Sequence, residues 1–345
     1  MNKSPVDRLH TDCFPTGKKI LYCVLNWGLG HATRSIPIIE ALIQRSNQIT
    51  IASDGLPLDL LRQHFPDLNF EVLPSYKITY PRPDILQNML LQAFQIRYAM
   101  RKEHKTVTQL NDIHKYDWVI SDNRPGCFDA RSMCVYITHQ TEPFHKWSWV
   151  RQIFKRVSRF YFRPFQQIWI PDENNQQYSG ILSNRSFDTP PVHFIGLCSS
   201  THDTLAQRDS SIAIILSGPE PQRSLLENKL WAIAIAMKDR QFIWVRGSQK
   251  GRAMKETPPN IKVTDVASSA EINQLLNTCE MVICRSGYSS VMDLAASDCK
   301  ALLIPTPGQS EQEYLAEYHT SRWPWVNQDT LSERDIRTAL TDQKS

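Results

Sequence analysis

Apolar residues along this chain gather in short runs separated by longer amphipathic stretches. Ile20–Leu25, Gln48–Ser53, Phe70–Leu73, Trp118–Ser121, Val135–Thr138, Ile168–Ile170 and Val192–Ile195 read as strands. Near-continuous apolar character over so few residues marks strands covered on both faces, as in parallel sheets. Between the first two lies Ala32–Arg45, with Ile36, Ile39, Leu42 and Ile43 at helical spacing and Pro37 early enough to be tolerated. Asp84–His114 reads as one or two long helices. A polar stretch, Ser199–Thr204, interrupts the pattern, which then restarts. Further strands are expected at Ile212–Leu216, Phe242–Val245, Ile261–Val263, Met281–Ile283 and Ala301–Ile304, with helices at Gln222–Lys238, Ala270–Asn277, Tyr288–Ala296 and Glu311–Thr320. Strand–helix alternation of this kind predicts an α/β fold of parallel sheets with helices on both faces. The expected organisation is two doubly wound Rossmann-like domains, 18–197 and 211–330, joined by a linker at 198–210 and followed by a C-terminal helix at 331–345.

Ligands of such sheets bind beyond the carboxyl ends of the strands. Two glycine-bearing turns lie at such ends. Gly28-Leu29-Gly30-His31 follows the first strand, and Arg285-Ser286-Gly287 follows Met281–Ile283; each opens a helix. A helix N-terminus offers unpaired N–H groups and a positive dipole, so both turns suit an anion or a developing negative charge. The first is no dinucleotide fingerprint, since the third glycine would fall at Thr33. A plain connector could use the same glycines. His31 is the unusual choice, and a helix N-terminus favours its neutral, basic form. Asp122-Asn123-Arg124 and His139-Gln140-Thr141-Glu142 also end strands; ordinary turn chemistry and a place in the site are equally compatible with them. Asp122 and Glu142 are alternative bases. Asp293, in the helix after Gly287, and the amide- and carboxylate-rich loop Pro305–Tyr314 suit the hydroxyls of a sugar or ribose.

Composition narrows the class. The 345 residues are 41% hydrophobic and 21% charged, enough to bury two cores. A net charge of +4 is too mild to make a nucleic acid an expected partner. Eight scattered cysteines without Cys-x-x-Cys or zinc spacing read as reduced thiols, and no cofactor or metal is expected. The polar first 17 residues lack a signal-peptide pattern, and no apolar run is long enough to span a bilayer, so a cytoplasmic location is expected.

Taken together, the turn around His31, the stretch Arg285–Leu294 and the loop Pro305–Tyr314 resemble glycosyltransferase family 28, the MurG-type UDP-sugar transferases. The resemblance implies a GT-B fold, with the two domains facing a central cleft, and inverting, metal-independent transfer of a sugar such as an N-acetylhexosamine to a hydroxyl, including that of a lipid-linked acceptor. The absence of any Asp-x-Asp sequence fits a metal-free site. By resemblance, Asp293 holds the donor ribose, Gln312 and Glu313 contact the donor sugar, Ser286 and Gly287 shape the turn beside them, and Val266 lies near the uracil edge. His31 becomes the catalytic base, with Gly28 and Gly30 close to phosphate or acceptor; Asn123, Arg124 and Glu142 are placed on the acceptor side by the strand-end rule and not by the resemblance. Two features depart from the family. Its glycine-rich phosphate loop is here Ser217-Gly218-Pro219-Glu220-Pro221-Gln222-Arg223, so Arg223 is expected to add charge beside Gly218. Gly196 is followed by Leu197 where the family carries arginine. These departures keep open a non-catalytic sugar-nucleotide- or lipid-binding protein, and the fold also admits a sugar-nucleotide epimerase.

Residues 146–166 interleave Trp147, Trp149, Phe154, Phe160, Tyr161, Phe162 and Phe165 with Lys146, Arg151, Lys155, Arg156, Arg159 and Arg163. A basic, aromatic, amphipathic helix suits an anionic membrane surface, here the inner face; a helix packing its aromatic side on the core has the same pattern.

Overall fold

The computed structural model describes residues 4–76, 92–141, 148–184, 190–202, 207–247 and 257–342. The chain forms two compact units, with the described residues up to 200 in one and those from 201 onward in the other.

In the N-terminal unit the elements run β1 (Lys19–Val24), α1 (Gly30–Gln44), β2 (Gln48–Ser53), α2 (Gly55–His64), β3 (Asn69–Val72), α3 (Ala93–His114), β4 (Trp118–Asp122), β5 (Met133–Ile137), α4 (Ser148–Phe162), β6 (Gln167–Ile170) and β7 (Val192–Phe194). The strands form one sheet in the order β3-β2-β1-β4-β5-β6-β7, and every pair is parallel. The order reverses direction at β1/β4, the switch point beyond which such sheets bind their ligands. The apolar runs became strands because both faces are covered: Leu21, Cys23, Val119, Ile168 and Ile170 are fully buried in one core cluster with Phe162 and Phe165. Sequence pattern missed α2, because Gly55-Leu56-Pro57 reads as a turn. The proline sits in the first turn, where its missing N–H costs nothing, and Leu58 and Leu61 bury the inner face. The expected helix over 84–114 is seen as α3; its earlier part lies outside the described residues.

The C-terminal unit contains β8 (Ile212–Ile215), α5 (Gln222–Ala236), β9 (Phe242–Val245), β10 (Ile261–Thr264), α6 (Ser269–Thr278), β11 (Met281–Cys284), α7 (Tyr288–Ser297), β12 (Ala301–Leu303), α8 (Ser310–Tyr318) and α9 (Glu333–Asp342). Its sheet is again parallel throughout, in the order β10-β9-β8-β11-β12, reversing at β8/β11. Ile214, Leu226, Leu230, Trp244, Ile283, Leu302 and Ile336 share its core. At the start of α6 a capping box closes: the Glu271 N–H donates to Ser268 Oγ at 3.3 Å, and the Ser268 N–H donates to the Glu271 carboxylate at 2.7 Å. A cap of this kind is worth about 1 kcal/mol. Two parallel α/β units, one of seven strands and one of five, give the expected fold class.

Candidate active site

In the N-terminal unit the site grows from the β1/β4 switch point. Val24 and Asp122 are register partners at the ends of their strands. The chain leaves β1 at Leu25, whose N–H donates to the Asp122 carbonyl at 3.2 Å, turns through Asn26–Leu29 and enters α1 at Gly30. Gly28 has φ +87°, in the left-handed region; a Cβ there would meet nothing within 4 Å, so conformation and not space requires the glycine. Gly30 is the first helical residue, and His31 and Arg34 follow one turn apart on the face over β4.

These residues converge on Asp122. His31 Nδ1 lies 3.1 Å from Asp122 Oδ1. Arg34 donates to both oxygens, from Nε to Oδ2 at 2.9 Å and from Nη2 to Oδ1. Nη2 is also 2.9 Å from His31 Nδ1, and Nη1 is 3.2 Å from His139 Nδ1. Ser35 Oγ lies 3.2 Å from Asp122 Oδ2, with the Tyr22 hydroxyl donating to Ser35 at 3.3 Å. The side chains of Asp122 and Arg34 are 0% and 3% exposed, whereas that of His31 retains 13%. The histidine is therefore the member of the cluster that reaches solvent. Burial lowers its pKa from the ordinary value; Arg34 lowers it further, and Asp122 pulls the other way. Burial alone would raise Asp122, but Arg34 and then His31 overcome it and hold the carboxyl well below the usual carboxylate range. Asp122 is thus not a second base. Its side chain is fully buried and its oxygens accept from Arg34 and lie against His31 and Ser35, so its place in the structure is that of an acceptor that orients its neighbours.

Other expected residues of this unit take different tasks. Asn123 adopts a left-handed conformation, φ +56°, and its N–H donates to the Ile137 carbonyl at 3.2 Å. Arg124 was expected on the acceptor side, but its side chain is 0% exposed. Its Nε donates to Glu103 at 2.5 Å, its Nη1 to Asp54 and to the Val24 carbonyl, both at 3.0 Å, and its Nη2 to the Pro74 carbonyl at 2.6 Å. It ties the ends of β1, β2 and β3 together. Asp54 in turn accepts from Asn26 Nδ2 at 2.9 Å, which fastens the turn that leads to His31. Glu142 lies outside the described residues.

The second turn, in the C-terminal unit, is built differently. Gly287 is the N-cap of α7 and has no side-chain cap. Ser286 Oγ donates to the Gln312 carbonyl at 2.7 Å, and Gln312 Oε1 accepts the Thr306 N–H at 2.9 Å. Glu313 accepts the Gly308 N–H at 3.0 Å. These bonds pin the loop after β12 to the turn after β11, so Ser286, Gly287, Gln312 and Glu313 come together. Gly218, at φ +99°, joins them: a Cβ there would lie 3.7 Å from Thr306 Oγ1. Asp293 is half-buried in the second turn of α7, and Val266 is 43% exposed after β10.

Arg223, expected to face a phosphate, does not. It is 6% exposed and donates to Glu220 at 2.7 Å, and to Glu227 and the Arg246 carbonyl at 3.2 Å. Its charge is already balanced by carboxylates on its own helix and the preceding loop. The cation left over is Arg285, 1% exposed and held only by neutral groups. Its Nη1 donates to the Ile304 and Pro305 carbonyls at 3.2 Å, and its Nη2 to the Gln222 carbonyl at 2.9 Å and Gln328 Oε1 at 2.7 Å. Among the described residues no carboxylate pairs with it, and its Nε has no partner. Burial brings its pKa down to about 10. The sequence showed Arg285 in the turn but gave no sign that it would be unbalanced.

Two parallel α/β units of this kind are those of the GT-B fold. Residues 222–322 match the glycosyltransferase family 28 C-terminal domain, and residues 18–142 match glycosyl transferase family 1. The chain is a glycosyltransferase whose C-terminal unit is similar to the family 28 C-terminal domain. No curated protein matches it in sequence. Solved structures share the fold across nearly the whole chain. The kitacinnamycin glycotransferase superposes with a TM-score of 0.67 at 14% identity, covering 95% of this chain and 91% of its own. SnogD from Streptomyces nogalater gives 0.63 at 14% identity, with 95% and 91% covered. The spinosyn rhamnosyltransferase SpnG, complexed with thymidine diphosphate, gives 0.64 at 16% identity, with 94% and 92% covered.

Proposed function

We propose that this glycosyltransferase moves a sugar from a nucleoside diphosphate sugar to a hydroxyl with inversion, and that His31 is the base. The observation that carries this reading is the contact between His31 Nδ1 and buried Asp122. In the tautomer whose proton sits on Nδ1 and is donated to Asp122 Oδ1, with Arg34 Nη2 donating to the carboxylate and not to the ring, the imidazole presents a bare Nε2. Nε2 takes the proton of the acceptor hydroxyl as the oxygen attacks the anomeric carbon. The bond from that carbon to the diphosphate oxygen breaks on the opposite face, which inverts the centre. Asp122 stays ionised and stabilises the imidazolium that forms.

Leaving-group chemistry points to the C-terminal unit. A diphosphate gains negative charge as it departs, and an uncapped helix N-terminus beside an unbalanced arginine is suited to receive it. The α7 terminus and Arg285 supply that combination, while Asp293, Gln312 and Glu313 offer acceptors and donors for ribose and sugar hydroxyls. SpnG was solved with thymidine diphosphate, and the family 28 resemblance favours a uridine donor for this chain.

The acceptor side of the proposal includes a membrane. On α4, Ile153, Val157 and Phe160 are 49%, 43% and 61% exposed, at helical spacing, with Arg156, Arg159 and Arg163 exposed beside them. An apolar stripe flanked by arginines fits an anionic lipid surface and a lipid-linked hydroxyl. Trp147 lies outside the described residues, as do the side chains of Trp149, Arg151 and Phe154. Among the described residues no helix is long and apolar enough to cross a membrane.

A panel of nucleoside diphosphate sugars, assayed for nucleotide release with and without alkyl glycoside acceptors, tests the reading. Release that depends on acceptor supports transfer. Binding without turnover would indicate a sugar-nucleotide-binding protein, and donor-only isomerisation an epimerase.

A further inference from the structure

We infer that Arg34 is a positioning residue for His31: by gripping both oxygens of Asp122 it takes up the carboxylate charge that would otherwise hold a proton on the imidazole. The inference rests on the reading of His31 as base and adds what makes it one. His31 Nδ1 sits between Asp122 Oδ1, which only accepts, at 3.1 Å, and Arg34 Nη2, which only donates, at 2.9 Å. A histidine paired with an unshared carboxylate becomes more basic and tends to stay protonated at neutral pH. Here the carboxylate is shared. A protonated His31 would place two cations against one buried anion, with the second charge unmatched. The neutral ring is therefore the form that fits, and a neutral ring is what a base must be before it acts.

The groups facing His31 come from three elements. Arg34 lies on its own helix α1, Asp122 ends β4, and His139 follows β5. His139 Nδ1 lies 3.2 Å from Arg34 Nη1, a contact that a bare Nδ1 satisfies. Tyr22 on β1 reaches the cluster only through Ser35. Arg34 is the one permanent cation among them, and its fork lets a single residue contact both oxygens of Asp122 and both histidines.

Imidazole titration followed by NMR on the full-length, isotope-labelled protein tests this without needing a substrate. The His31 signal is identified by its loss in His31→Gln. In the wild type it should titrate below about 6.5, the ordinary histidine value. In Arg34→Gln, which keeps hydrogen-bonding capacity but loses the charge, it should rise by about one pH unit or more, as expected beside an unshared carboxylate. Arg34→Lys, which keeps the charge but not the fork, should bring the value back part of the way. A wild-type His31 that titrates above its ordinary value would overturn the proposal even if Arg34→Gln does not fold. So would a folded Arg34→Gln with His31 unmoved. Transfer that survives His31→Ala would remove His31 as base while leaving the titration result intact, so the two readings can fail separately.

Discussion

The two units differ in how they hold buried arginine. Among the described residues of the N-terminal unit both buried arginines are matched by acids: Arg34 by Asp122, and Arg124 by Glu103 and Asp54. In the C-terminal unit Arg223 is matched by Glu220 and Glu227, but Arg285 is surrounded by carbonyls and an amide. Matched charge fixes geometry and holds pKa values in place, which suits a group that moves one proton. Unmatched charge is held at a cost and is relieved by an anion, which suits a group that receives a leaving diphosphate. On this account the N-terminal unit is built for proton transfer and the C-terminal unit for anion binding.

The largest expected effect that would break this contrast comes from His31→Ala. It should reduce transfer by about 10²- to 10⁴-fold, the range for losing a general base, with nucleotide affinity unchanged. Single-turnover assays with donor and acceptor would show it. The pH dependence carries a definite sign. The base works when neutral and its pKa is lowered, so the acid limb of kcat/KM should lie below about 6.5 and activity should persist above it. Next in size is the stability cost of splitting a matched pair. Asp122→Asn leaves Arg34 buried without its counter-charge and should cost about 3–5 kcal/mol in denaturant unfolding. Asp293→Ala should weaken nucleotide-sugar binding by about 1–3 kcal/mol in calorimetry, the scale of a lost hydrogen bond to a charged group. The smallest effect per residue is on α4. Replacing Arg156, Arg159 and Arg163 with Glu should release the protein from anionic vesicles, at about 1 kcal/mol for each basic residue lost. Equal sedimentation of the wild type with neutral and anionic vesicles would remove the membrane from the account.

Strands were the most legible part of this chain in sequence, because burial on both faces writes each as an unbroken apolar run. Helix α2 was hidden by Gly55-Leu56-Pro57, whose local propensity favours a turn and is overridden by the packing of Leu58 and Leu61. The glycine turn and the place of His31 at a helix start could be read because turn geometry and a helix N-terminus leave local marks. The contact of Arg34 could not. It depends on Asp122, 88 positions away in sequence, which the β1/β4 pairing brings beneath α1. For the same reason Arg124, just after a strand, and Arg223, at the start of α5 beyond the loop after β8, looked like ligand-facing cations. Their acids, Glu103 and Glu227, sit on helices where a carboxylate normally reads as solvated.

Binding of uridine diphosphate, followed by calorimetry in three proteins, tests the division between the units most directly. The account predicts that His31→Ala binds it as the wild type does. Arg285→Gln removes the unmatched charge while keeping hydrogen-bonding capacity, and it should bind at least about tenfold more weakly, the scale set by a charge-assisted interaction. Affinity lost in His31→Ala and retained in a folded Arg285→Gln would contradict it.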